Sequence, residues 1–128
     1  MIAACVGAEL HEIGLRMVAD LFELDGWDTY YLGANLPSES IVAAARDRRA
    51  DLVALSATMP RHVARVREVI AALRADAALA RTIVLVGGGA FAGDEARWRE
   101  VGADGFTRDA ASAVTLADHL VDARNAAP

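Results

Sequence analysis

Thr82-Ile83-Val84-Leu85-Val86-Gly87-Gly88-Gly89 is a run of β-branched and aliphatic residues that stops on three glycines. A short apolar run bounded by such a signal reads as a strand buried on both faces. The chain repeats the pattern. Upstream, Asp51–Leu55 is a second apolar strand followed by a Ser56–Pro60 loop, and Ile2–Val6 is a third, broken by Gly7–Glu12. Trp27–Leu32 is aromatic-rich and strand-like, with Gly33–Pro37 as the loop behind it. Gly105–Thr107 is a short fifth strand.

The segments between are helical. Ile13, Met17, Leu21 and Leu24 recur at helical spacing, with Leu15, Val18 and Phe22 widening the stripe and Asp25-Gly26 as the stop. Ser38 reads as an N-cap, with helix to about Arg48. Arg61–Ala75, Asp94–Val101 and Ala110–Ala123 complete the set, with one domain over 1–124 and a frayed tail over 125–128. Strand and helix alternate five times, which predicts an α/β fold with a parallel sheet covered by helices on both faces. Such sheets bind ligands where the strands end, at the topological switch point. All five polar or glycine-rich loops, Gly7–Glu12, Gly33–Pro37, Ser56–Pro60, Gly87–Gly93 and Thr107–Asp109, fall at those ends.

Composition narrows the classes. The chain has 128 residues, 55% of them hydrophobic, and a net charge of −5. That is one domain with an ordinary core, not a disordered chain, and the acidic balance argues against a nucleic-acid binder. No apolar run reaches the ~20 residues that span a bilayer, and no secretory leader is seen. The single cysteine, Cys5, reads as a buried core thiol and makes cytoplasmic the expected setting. All 13 basic residues are arginine, a composition expected of a GC-rich bacterial genome.

Three tenants of this architecture are disfavoured by the loops. A phosphate-accepting receiver needs an aspartate ending the third strand and a lysine ending the fifth. Here the third strand ends at Ser56 and the chain has no lysine. A flavin site needs hydroxyls in the first loop, and Gly7–Glu12 has none. Gly87–Ala92 fits the dinucleotide glycine pattern loosely, but after the fourth strand rather than the first.

The first loop instead carries Glu9-Leu10-His11-Glu12-Ile13-Gly14. A neutral imidazole is a common metal ligand, and a ligating histidine usually passes its second N–H to a carboxylate, for which Glu9 is placed. Taken alone, a histidine near a helix start is more often a solvated or capping group. Of the other histidines only His62 is expected at this end of the sheet, so a site of two or three protein histidines is disfavoured. One histidine suffices if the metal arrives with its own equatorial ligands.

Glu9-x-His11-x-x-Gly14 is followed by Ser56-Ala57-Thr58 and then by Gly87-Gly88, at spacings of 41 and 28 residues. This resembles the cobalamin-binding domains of B12-dependent methyltransferases, mutases and light sensors, whose pattern is D-x-H-x-x-G, about 41 residues, S-x-L, about 26 to 28 residues, and G-G. The resemblance covers nearly the whole chain. It implies a three-layer flavodoxin-like (Rossmann-like) fold with a five-stranded parallel sheet in the order 2-1-3-4-5.

It also implies roles. His11 would be the lower cobalt ligand in place of the cofactor's own base (base-off/His-on), with Glu9 holding its other nitrogen. Ser56 would hydrogen-bond the base of the displaced nucleotide tail, and Gly87 and Gly88 would leave room for that flat ring. Glu12, Ile13 and Gly14 would line the corrin side, Thr58 would meet the tail or cap the third helix, and Val53, Leu55, Val84 and Val86 would wall the slot. Two positions depart from the pattern. Glu9 replaces the usual aspartate, which leans toward sensory members, and Thr58 replaces leucine.

The resemblance implies cobalamin as cofactor, in its adenosyl, methyl or hydroxo form. It implies a carrier or sensory module without activity of its own, serving light sensing, regulation, methyl transfer or a mutase. The chain opens directly on its first strand, so a helical cap or partner protein over the upper corrin face is expected from elsewhere. The competing expectations are a cofactor-free interaction domain that kept the fold and lost corrinoid binding, and a nucleotide-binding module.

Overall fold

The computed structural model describes residues 1–7 and 12–128. Five strands, β1 (Ile2–Val6), β2 (Tyr30–Leu36), β3 (Leu52–Ser56), β4 (Ile83–Gly87) and β5 (Gly105–Phe106), form one parallel sheet in the order β2-β1-β3-β4-β5. The helices are α1 (Ile13–Leu24), α2 (Ser38–Asp47), α3 (Val63–Ala75, preceded by a 3₁₀ turn at Pro60–His62), α4 (Gly89–Ala92), α5 (Arg97–Glu100) and α6 (Ala110–Ala126). This is the flavodoxin-like order expected from the sequence. The switch point lies between β1 and β3, where the chain reverses its direction of travel across the sheet.

Strand alternation divides the core in two. Ala3, Cys5, Leu52, Ala54, Ile83 and Leu85 face α1 and α6, against Leu15, Phe22 and Ala113. Ile2, Val6, Val53, Leu55, Val84 and Val86 face the other way, against Ile41, Val66, Ile70 and Phe91. Both faces are buried, which is why β1, β3 and β4 read as unbroken apolar runs.

α1 ends as its sequence dictates. Gly26 takes φ +99°, and the Gly26 and Trp27 amides donate to the carbonyls of Glu23 and Phe22. This double bond closes the helix with the one residue type that adopts that backbone freely. Its buried stripe, however, is Leu15, Ala19 and Phe22. Ile13, Met17 and Leu24, expected in the core, are exposed.

Other boundaries also shift. β2 begins at Tyr30 and runs to Leu36, through residues expected to form a loop. Its register against β1 slips twice, with Gly33 at φ +98° and Asn35 at φ +54°. An edge strand tolerates such bulges, and the residues that make them are those that otherwise mark turns. Ser38 is the first helical residue of α2, not its cap, because Pro37 holds the extended N-cap conformation. α4 lies within the expected Gly87–Gly93 loop, and the short helix expected over Asp94–Val101 is confined to α5. α6 continues to Ala126, where Arg124 donates to the Asp51 carboxylate at 2.7 Å and ties the helix end to the sheet.

Among the described residues no helix is long and apolar enough to cross a membrane.

Candidate functional site

The carboxyl ends of the central strands set the site. Cys5 pairs with Ser56, and Ser56 pairs with Gly87, so three residues on adjacent strands stand side by side at the sheet's edge. In β4 the side-chain direction of Gly87 matches that of Ile83 and Leu85, toward α1 and α6. A Cβ on Gly87 would lie 3.6 Å from the Thr107 carbonyl, an ordinary contact.

Above this edge, between α1 and α6, lies a cavity of about 910 Å³. Ala54 and Leu85 line it within the sheet, Ser56 and Gly87 border it at the strand ends that form its mouth, and it reaches Leu15 and Phe22. α6 lines it only with small residues, Ala110 and Ala113, and α1 opens on Gly14, where a Cβ would meet no neighbouring atom within 4 Å. Glu12, Ile13, Gly14, Ser56, Thr58, Gly87 and Gly88 all border it. The two motif elements at Ser56–Thr58 and Gly87–Gly88, distant in sequence, therefore meet at one chamber with the start of α1. Glu9 and His11 lie outside the described residues.

The walls differ from expectation. Val53, Leu55, Val84 and Val86 pack in the opposite core; Leu55 and Val86 touch the cavity's edge, while Val53 and Val84 do not border it. Sequence reasoning chose the wrong strand face, because a strand buried on both sides carries no alternation to distinguish its faces. Ala54 and Leu85 were missed for that reason, and Val18, Phe22 and Ala113 because their helix faces carry ordinary core chemistry. Ile13 and Met17, 78% and 58% exposed, stand one helical turn apart on the cavity's rim.

Gly88 is required by the backbone rather than by the cavity. It has φ +99°, and a Cβ there would sit 2.3 Å from the Ala57 carbonyl oxygen. That oxygen accepts from the Ala90 amide at 3.1 Å, and the Ala57 amide donates to the Gly87 carbonyl at 3.1 Å. The loops after β3 and β4 are thus stitched main chain to main chain. Neither the 3₁₀ turn nor α3 has a side-chain cap, so Ser56 and Thr58 do not serve that role.

The cavity's polar groups are few: the hydroxyls of Ser56, Thr58 and Thr107, the carboxylates of Glu12 and Asp109, and Arg108. Asp109 is committed to α6, accepting from the Ser112 amide at 2.8 Å and hydroxyl at 2.9 Å, bonds that hold its carboxyl below the usual range. Tyr31, partly buried on β2, has its ring beneath the Arg16 guanidinium at 5.5 Å, and burial pushes its phenol up. His62 is buried in the 3₁₀ turn. His119 is exposed on α6, Cys5 is buried in β1, and Trp98 packs on the α2/α3 core beneath Arg99. Among the described residues no three His, Cys, Asp or Glu side chains are grouped to hold a metal ion.

A volume of this size, mostly apolar with a few hydroxyls at its mouth, suits a ligand with a flat aromatic part and a polar stem. The fold and cavity define an open-sheet α/β domain with a largely apolar cavity at the carboxyl ends of β3 and β4. The sequence matches the family model described as "B12 binding domain" over residues 1–115, and the chain belongs to that family. It is 30% identical over 117 residues to dimethylamine corrinoid protein 2 of Methanosarcina acetivorans, an alignment that covers 91% of this chain and 53% of that one. A cobalamin-binding protein from Desulfitobacterium hafniense DCB-2, of known crystal structure, superposes with a TM-score of 0.86 at 28% identity, over 93% of this chain and 57% of that one. The methanol:cobalamin methyltransferase complex of Methanosarcina barkeri contains the same fold, with a TM-score of 0.82 at 23% identity over 94% of this chain and 45% of that one. The chain spans about half the length of these relatives.

Proposed function

We propose that this chain binds a corrinoid base-off through His11 and carries it for a methyltransferase partner, leaving the upper cobalt face open to that partner. One observation carries the reading: Ser56 and Gly87 stand side by side at the mouth of a largely apolar cavity that Gly14 leaves open. The nucleotide tail of a corrinoid is a flat aromatic base on a ribose phosphate, and it fits this chamber in size and polarity. The Ser56 hydroxyl would hydrogen-bond a ring nitrogen of that base. Thr58 supplies a second hydroxyl at the same edge. Gly87 keeps side-chain bulk out of the entrance, and Gly88 holds the two loops at the spacing that shapes it. Glu12, Ile13 and Gly14 form the rim on the corrin side, where exposed Ile13 and Met17 offer apolar surface to a macrocycle. Glu9 would orient the His11 ring.

The bound corrinoid would supply cobalt-centred alkyl transfer, and the chain itself would supply binding, orientation and access. Names among the relatives favour the carrier role: one is a dimethylamine corrinoid protein, and a solved structure of the same fold is titled a methanol:cobalamin methyltransferase complex.

The test is direct. The protein is mixed in the dark with hydroxo-, methyl- or adenosylcobalamin, desalted, and its visible spectrum recorded. Retained corrinoid supports the proposal. Any bound adenosylcobalamin photolyses, so the readout that separates a light sensor from a carrier is the protein: a change of oligomeric state on illumination marks a sensor, and no change favours a carrier. No retained corrinoid favours the cofactor-free interaction domain.

A further inference from the structure

Tyr31 stands on β2, paired with Ala3 of β1, and packs on the α1 side of the sheet. Its phenol oxygen is buried and makes no hydrogen bond, the one such side-chain oxygen or nitrogen among the described residues. A buried hydroxyl without a partner is costly, and native structures keep few of them. Two polar groups at the start of α1 lie beside it. The Arg16 guanidinium sits over the ring, 5.5 Å from its centre. Glu12 is near enough that its charge, after burial itself, does most to push the phenol up. Neither group is committed elsewhere. Glu12 holds the N-cap position of α1, but its side chain makes no capping bond. Among the described residues neither Glu12 nor Arg16 enters an ion pair. Glu12 also borders the cavity and is half-buried. A donor without an acceptor and a carboxylate without a donor thus share one corner of the site.

We propose that Tyr31 is a positioning residue: when the site fills, its phenol donates to the Glu12 carboxylate and locks the start of α1. This rests on the corrinoid reading of the same site, and concerns how the chain responds to its ligand. While the site is empty, water at the rim solvates Glu12. A macrocycle seated on Ile13 and Gly14, the next two residues, displaces that water. A carboxylate stripped of water needs a donor from the protein. Tyr31 has an O–H with nowhere else to give it, and a hydrogen bond to an ionised acceptor is a strong one. Arg16, four residues after Glu12 in the favourable order of charges, adds its own attraction. One hydrogen bond thereby removes two costs, the orphan phenol and the desolvated carboxylate. Binding and the ordering of the helix start become one event.

The experiment is a double-mutant cycle on wild type, Tyr31→Phe, Glu12→Ala and the double variant. Each protein is measured twice: by urea unfolding without ligand, and by calorimetry with methylcobalamin in the dark. Phenylalanine keeps the ring and removes only the hydroxyl, so the variant folds. Without ligand, Tyr31→Phe should unfold at the same urea concentration as wild type or a higher one, since it loses an unpaired polar group. With ligand, it should bind about tenfold more weakly, the loss of one hydrogen bond to a charged group. In the Glu12→Ala background the same substitution should change affinity by less than about twofold, because the acceptor is already gone. A purely structural tyrosine would give the reverse: a loss of stability without ligand and no dependence on residue 12. Tyr31→Phe affinity within about twofold of wild type, or an equal loss in both backgrounds, would overturn the assignment. Failure of wild type to bind any corrinoid is a different result and refutes the underlying reading.

Discussion

The Cβ position of Gly88 lies 2.3 Å from the carbonyl oxygen of Ala57, an atom that is itself hydrogen-bonded to the Ala90 amide. The loops after β3 and β4 can approach this closely only because residue 88 has no side chain and adopts φ +99°. Gly88→Ala must either move the Ala57 peptide or abandon that φ. It should cost about 2 kcal/mol or more, readable by urea unfolding. An unchanged midpoint would mean that the two loops are not locked together as described.

Gly87, one residue earlier, makes the opposite prediction. Its backbone belongs to β4 and its Cβ position meets only an ordinary contact at 3.6 Å. Gly87→Val should therefore leave stability within about 1 kcal/mol, since valine suits a strand. Its methyl groups would enter the cavity mouth, so corrinoid retention after desalting should be lost. Full retention by a folded Gly87→Val protein would place the ligand elsewhere.

Ile13 and Met17 test whether the exposed face of α1 is a ligand surface. Neither contributes to the core, so the Ile13→Ser, Met17→Ser double variant should melt within about 0.5 kcal/mol of wild type per site. It should bind methylcobalamin more weakly, because apolar rim area is lost. A large drop in stability with unchanged binding would show that these side chains serve packing instead.

The sequence made the parallel sheet and the ends of its strands legible because both rest on strong signals, while the strand order came from the resemblance to cobalamin-binding domains. Unbroken apolar runs such as Leu52–Leu55 and Ile83–Val86 demand burial on both faces, and glycines and polar residues mark where strands end. The face of each strand was not legible, for the same reason. Val53 and Ala54 are equally apolar, and only the packed structure puts Ala54 under the cavity and Val53 in the opposite core. The helical stripe of α1 misled similarly. Ile13 and Met17 have core chemistry but border a cavity, so hydrophobic periodicity counted an exposed cavity edge as interior. The bulged end of β2 resembled a loop because Gly33 and Asn35 are turn formers wherever they occur.

Acid should weaken the protein through two carboxylates. Ser112 holds the Asp109 carboxyl below its ordinary value, and the Arg46 guanidinium with the Ala78 amide does the same for Asp76. A carboxylate whose folded pKa is depressed contributes stability that is fully present above its unfolded value, about 3.9, and lost as pH falls through the folded value. The melting temperature should be level from neutral pH to about pH 5 and decline below pH 4. In the Asp76→Asn, Asp109→Asn double variant it should start lower and decline less steeply. Parallel curves for the two proteins would remove both groups from the account.

The central claim is that the corrinoid is held through His11, a residue outside those the structure describes. The most direct test compares the visible spectra of wild type and His11→Ala after loading with methylcobalamin in the dark and desalting. Wild type should retain the cofactor with a spectrum that changes when His11 is removed, while the nucleotide tail keeps some corrinoid bound to the variant. Identical spectra for the two loaded proteins would contradict it.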